Sequence, residues 1–169
     1  MRGLVYVWLL ITSCPTLGQG DIYTKFTITD KQGFKIKGCT VRLYDHNTLQ
    51  KEVMVNRSTI KFDMRCESYY TIEVMCDGYI TERLAFNTRL DGRPVKVKSV
   101  KFYVELIDDK AYEQLEETED VLDYPVTIIE YDQEKQQFGH NFDYTRSTEL
   151  AINRLDRKAE KLKRKTKKK

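Results

Sequence analysis

YYTIEVMCDGYITERLAFNT, residues 69–88, is the stretch that decides the fold class. Tyr70, Ile72, Val74 and Cys76 alternate with Thr71, Glu73 and Met75, the period of two that sends one row of side chains into a core and the other toward solvent. Asp77-Gly78 supplies the φ > 0 position that a tight reversal needs. Beyond it Tyr79, Thr81, Arg83 and Ala85 alternate with Ile80, Glu82, Leu84 and Phe86. The stretch therefore predicts two long strands joined by a two-residue turn. A lone hairpin is marginal in water, so the rest of the chain has to supply more sheet.

It does so on both sides. Upstream, the same alternation predicts strands over 22–29, 35–45, 50–55 and 59–64. Turn chemistry separates them at Asp30-Lys31-Gln32-Gly33, at His46-Asn47 and at Asn56-Arg57-Ser58, with Gly38 read as a bulge. The Asn-X-Ser pattern at 56–58 is read as a polar turn rather than a glycosylation acceptor. Downstream, 95–107 gives a last long strand with Val100, Phe102, Val104 and Leu106 in phase. Seven short strands at near-regular spacing, with no helix between them, predict an all-β fold: a seven-stranded antiparallel β-sandwich over 21–107. Residues 108–145 read as an acidic linker followed by an extra edge strand in PVTIIEY, 125–131. A helix is predicted from Ser147, within a basic C-terminal region 146–169, with Leu150, Ile152 and Leu155 as its apolar stripe and fraying beyond Leu162.

The net charge of +3 over 169 residues hides a split. Residues 154–169 hold ten Lys/Arg against Asp156 and Glu160, which leaves −5 on the remainder. An acidic body with a basic tail is not the footprint of a uniformly basic nucleic-acid binder. Met1-Arg2, the apolar run from Leu4 to Ile11 and the small polar residues to Gly20 form an export signal over 1–20, too short to span a bilayer. Two ways of processing it stay open: ordinary cleavage near Gly18-Gln19-Gly20, which is preferred, or lipidation at Cys14, since Ile11-Thr12-Ser13-Cys14 fits a bacterial lipobox. Of the remaining cysteines, Cys39 and Cys76 share parity with core positions and read as buried thiols, able to bridge if their strands are neighbours; Cys66 is the odd one.

A search for chemistry yields no candidate catalytic, metal or cofactor site. His46 and His140 are the only histidines, and His140 with Asp143 lacks the partners of a metal site. The acids Glu113, Glu116, Glu117, Glu119 and Asp120 lack calcium-loop spacing. No nucleophile elbow, phosphate loop or dinucleotide fingerprint occurs. The expectation is a protein that is not an enzyme, needs no cofactor and takes no small-molecule substrate. Its candidate docking residues are Arg154, Arg157, Lys158, Lys161, Lys163, Arg164 and Lys165, offered to an anionic membrane surface, to an acidic protein or back to the chain's own acidic 108–123 segment.

Gly38, Val41, Leu43, Tyr44 and Asp45, then Tyr70, Ile72 and Val74, then Gly78-Tyr79, then Phe86 and Thr88 together resemble the carboxypeptidase regulatory-like (transthyretin-like, Cna-B-like) domains of exported Bacteroidetes-type envelope proteins. The resemblance covers about residues 22–145. It implies a transthyretin/prealbumin-like sandwich serving as a non-catalytic accessory module of the cell envelope. On that reading the chain is exported, periplasmic or associated with the outer membrane, and acts by contact with envelope proteins; the alternative is a glycan- or peptidoglycan-binding module. Two departures stand out: Arg57-Ser58-Thr59 replaces the family's Gly-Lys-Phe turn, and a basic helix stands where relatives often carry a second domain. No catalytic or binding residue is carried over.

Overall fold

A computed structural model describes residues 21–90, 99–112 and 124–166. Nine strands run in order: β1 (Ile22–Asp30), β2 (Cys39–Asp45), β3 (Thr48–Val55), β4 (Thr59–Met64), β5 (Tyr69–Met75), β6 (Glu82–Asn87), β7 (Ser99–Leu106), β8 (Thr127–Asp132) and β9 (Gln137–His140). A 3-10 turn at Asp109–Ala111 and one helix, α1 (Phe142–Thr166), complete the described chain. The strands form a three-stranded sheet, β4-β1-β7, and a six-stranded sheet, β3-β2-β5-β6-β8-β9.

Both sheets turn their alternating apolar rows onto one core. Phe26 of β1 stacks on Phe102 of β7 with centroids 5.3 Å apart. Phe102 meets Phe86 of β6 at 6.2 Å, and Phe86 meets Phe138 of β9 at 5.4 Å. This ring series joins one sheet to the other, and burying each Phe contributes about 2–3 kcal/mol relative to leaving it in water. The alternation read in β2, β5 and β7 is thus the core pattern of the molecule. Outside the core, Arg42–Glu52 (2.6 Å), Arg83–Glu73 (2.9 Å) and Tyr44–Glu73 (3.1 Å) bridge neighbouring strands of the larger sheet.

The expectation of seven antiparallel strands is corrected in two respects. There are nine described strands, and two pairings are parallel, β1 with β7 and β6 with β8. A period of two reports which face is buried, and it is silent on partner and direction. The extra strand at 127–132 is not an edge: it lies between β6 and β9, and β9 takes the edge. With four residues, β9 offers too short an alternation to read.

The two-residue turn expected at Asp77-Gly78 is also overturned. Pairing of β5 with β6 stops at Val74↔Glu82, and residues 76–81 form a longer connection. Gly78 does hold φ +79°, but Tyr79 and Ile80 turn away to the end of β7. Ile80 N–H donates to the Ile107 carbonyl at 2.9 Å, and Asp109 N–H donates to that of Gly78 at 3.1 Å. Those backbone groups are therefore spent on a third strand. The two-residue hairpin turn lies at His46-Asn47, where φ of 44° and 67° and the pair Asp45↔Thr48 match a type I′ turn.

Cys39 and Cys76 form a disulfide, which corrects the reading of two buried thiols. The register Thr40↔Met75 continues one step to place Cys39 opposite Cys76, with Cα atoms 4.4 Å apart. That is the spacing of directly opposed residues in a non-hydrogen-bonded antiparallel pair. Cys66 is buried and takes no part in the bridge.

The helix begins at Phe142, five residues before the expected Ser147, because Asn141 caps it: its Oδ1 accepts from Tyr144 N–H at 2.9 Å. It also continues through Thr166, beyond the point at which fraying was expected. Ile152, Leu155 and Ala159 face the body, whereas Leu150, placed in the stripe from sequence, is exposed. Leu155 and Ala159 join Ile107 and Tyr112 in a second, smaller apolar cluster. The export signal, Cys14 and most of the acidic stretch, 113–123, lie outside the described residues.

Candidate functional site

β6 begins with a carboxyl group on its core side. Glu82 shares parity with Leu84 and Phe86, so the alternation that buries those two carries Glu82 inward, where it is 2% exposed. Its Oε2 has no hydrogen-bond partner. Burial, and secondarily the negative charge of Glu105, pushes its pKa up to about 8. A neutral carboxylic acid at pH 7 in a protein wall is therefore the chemical centre of the site.

Glu82 lines a cavity of about 320 Å³ bounded by β6, β7, β8 and α1. Leu84, Val104, Ile107, Val126 and Ile152 give it apolar walls. Tyr103 and Glu105 stand along β7, Glu149 and Asp156 along α1, and Lys31 reaches in from the loop after β1. Lys31 Nζ lies 3.2 Å from Asp156, whose other oxygen accepts from the Tyr112 hydroxyl. The Tyr112 phenol titrates well above its usual range, through burial first and its bond to Asp156 second. On the far wall Thr127 Oγ1 contacts His140 Nδ1 and Thr145 Oγ1, each at 2.9 Å. Asp156 and His140 are thus already engaged, and of the groups lining the cavity Glu82 is the one with a buried oxygen left over.

His46, set aside on sequence grounds, sits beside both a carboxylate and a hydroxyl. Its Nδ1 lies 2.6 Å from Asp45 Oδ1 and 3.2 Å from Ser68 Oγ, and Ser68 also donates to Asp45. Hydroxyl and carboxylate approach the same ring nitrogen, whereas a nucleophilic triad needs them on opposite sides of the imidazole. The Ser68 hydrogen bond is also the main influence holding Asp45 below the usual carboxylate range. The group fastens the β2–β3 turn to the start of β5. Thr88 fastens the same corner, its one hydroxyl proton within reach of the carbonyls of Arg65 and Ser68 and its oxygen accepting from Ser68 N–H.

Arg154, Arg157, Lys158, Lys161, Arg164 and Lys165 are exposed along α1, on positions left free by its docked stripe. The Lys163 side chain and Cys14 lie outside the described residues. Among the described residues no group of three or more His, Cys, Asp or Glu side chains converges to hold a metal ion, and no helix is long and apolar enough to cross a membrane.

No protein-family model matches the chain, and no curated protein matches it. Solved structures that align with it include CueP, at 18% identity over 54% of this chain and 65% of that one, with a TM-score of 0.37. A single-residue variant of Acinetobacter radioresistens catechol 1,2-dioxygenase aligns at 13% identity over 54% and 53%, with a TM-score of 0.39. Catechol 1,2-dioxygenase from Pseudomonas arvilla C-1 aligns at 10% over 56% and 54%, with a TM-score of 0.37. The chain spans under two thirds of each of these structures, and likenesses this low say nothing about its chemistry.

Sequence reasoning missed Glu82. The signal was present, because a Glu in phase with Leu84 and Phe86 breaks the core pattern that both of them establish. The other walls of the cavity come from segments as distant in sequence as Lys31, Glu105, His140 and Asp156, and no spacing rule connects them.

Proposed function

We propose that this chain is an exported β-sandwich module, of the transthyretin and carboxypeptidase regulatory-like type, that serves a bacterial cell envelope by non-catalytic protein–protein contact. The docking element is α1. One observation carries the reading: the helix is held to the body by Ile152, Leu155 and Ala159 while Arg154, Arg157, Lys161 and Arg164 stay exposed. A cationic strip on a docked helix forfeits less conformational entropy on binding than a loose basic tail does. Its complement is an acidic protein surface, and association should weaken as salt rises.

The test is cross-linking in the native host with wild type and with Arg154, Arg157, Lys161 and Arg164 all changed to Glu. Recovery of a defined envelope protein by wild type alone supports the reading. Equal recovery by both chains overturns it, and binding of the wild type to anionic lipid vesicles with no protein cross-link would move the function to the membrane surface. The intact mass of the mature chain decides between cleavage near Gly20 and lipid on Cys14.

A further inference from the structure

We propose that the Glu82 cavity receives a lysine side chain presented by an extended segment of a partner polypeptide lying along the open edge of β7. Three observations converge on that ligand. First, Glu82 is 2% exposed, lines the cavity and leaves Oε2 without a partner, so the wall holds an unanswered polar atom. A buried polar atom without a partner is costly to keep, and an arriving hydrogen-bonding group recovers that cost.

Second, the cavity combines apolar walls with a carboxyl group. Leu84, Val104, Val126 and Ile152 match the four-carbon stem of a lysine, and Glu82 its ammonium. Glu105 and Glu149 add negative character, whereas the cation present, Lys31, is already paired with Asp156. An ammonium, as a compact point charge, can answer one carboxylate oxygen, whereas the two-pronged guanidinium prefers both.

Third, among the described residues β7 (Ser99–Leu106) pairs on one side only, with β1, while Ile107 and Asp109 just beyond it are bonded by Ile80 and Gly78; its side chains alternate between exposed and buried along the whole strand. Tyr103 and Glu105 of that strand border the cavity. An unpaired edge can accept a further strand, and alternate side chains of that strand then enter neighbouring pockets. This favours a polypeptide over a free amine. The chain's own 113–123 segment, with six acidic residues and no Lys or Arg, has the wrong charge for the site.

Binding is non-covalent and carries one proton. The neutral Glu82 carboxylic acid gives its proton to solvent as the ammonium docks, leaving a carboxylate–ammonium pair. The other titratable groups around it are Tyr103 and Glu105 on β7, Glu149 and Asp156 on α1, His140 on β9, Lys31 and Tyr112. Because burial raises the Glu82 pKa to about 8, docking near neutral pH is accompanied by proton release.

The experiment titrates the full chain with the blocked peptide acetyl-Val-Lys-Val-amide, following backbone amides by NMR and proton release by calorimetry in two buffers. Saturable shifts are expected at β7 and at Val126 and Thr127. Affinity should fall at least tenfold with norleucine in place of the lysine, with n-butylamine in place of the peptide, and with Glu82→Gln. Glu82→Gln keeps the side-chain shape and removes a buried acid, and its own amide spectrum verifies folding. Absence of saturable binding, or equal binding by Glu82→Gln or by the norleucine peptide, overturns the proposal. Equal affinity for n-butylamine overturns the polypeptide assignment in favour of a free-amine site. The measurement needs no partner of the basic helix face, so it can fail while the docking role of α1 stands, and the reverse.

Discussion

Glu82 and the Cys39–Cys76 pair show how single residues are set by the strands that carry them. Glu82 has a folded-state pKa near 8 against an ordinary value of 4.5, so the folded chain holds its proton more tightly than the unfolded chain does. Its contribution to stability is therefore fully present below pH 4.5 and is lost as pH rises through 8. One pKa unit corresponds to about 1.4 kcal/mol, so the slope is a matter of a few kcal/mol across that window. Urea unfolding at pH 5 and pH 8 should show Glu82→Gln gaining about 2 kcal/mol or more on wild type between the two; parallel losses would mean that Glu82 is hydrated in the folded chain. The disulfide makes a second claim at this scale. It closes a sequence separation of 37 residues, for which chain entropy gives about 3–4 kcal/mol. Changing Cys39 and Cys76 together to Ala should lower the unfolding free energy by that amount, while alkylation of unreduced, denatured wild type should label neither of the two.

Elements were legible from sequence to the extent that their own side chains specify them. The alternation read over 22–29, 35–45, 50–55, 59–64, 69–76 and 95–107 located β1 to β5 and β7 within a few residues, since one buried face forces a period of two. Ends were less legible, because they are decided by backbone partners elsewhere: β5 and β6 part early when Ile80 bonds to Ile107, and α1 starts early when Asn141 caps it. The Glu82 cavity was illegible apart from Glu82 itself, because its walls meet only once β7, β8 and α1 are in place. For α1 the cap and the docked stripe make separate predictions. Asn141→Ala removes a capping acceptor, and also a 2.8 Å bond to Glu130, and should cost about 1–2 kcal/mol. Leu155→Ala hollows the small cluster beneath the helix and should cost about 2–3 kcal/mol, whereas Leu150→Ala, at an exposed position, should cost under about 0.5 kcal/mol. Chemical denaturation of the three variants checks the order, and a large loss at Leu150 would place the wrong face of the helix against the body.

Across the whole molecule, the apolar residues divide unequally. One large core joins both sheets through Phe26, Phe102, Phe86 and Phe138, while the middle of α1 is held by the small group of Ile107, Tyr112, Leu155 and Ala159, with Ile80 and Ile152 against it and Asp156 bonded to Lys31 and Tyr112. Free energy of opening follows buried apolar contact, so the helix should release from the body well before the sheets separate. Native-state hydrogen exchange at increasing denaturant gives the direct reading. Amides in β2 and β5, which pair with each other at the centre of the larger sheet and are tied by the disulfide, should exchange only through global unfolding. Amides in the second half of α1 should exchange through a smaller opening, by several kcal/mol, and Leu155→Ala should lower protection there without lowering it in β5 by the same amount. Equal protection in α1 and β5 would make the helix part of the cooperative core. The proposed docking role depends on the first outcome in one respect: a helix held by one small cluster keeps its cationic strip ordered, yet can shift to meet a partner without disturbing the sheets that carry it.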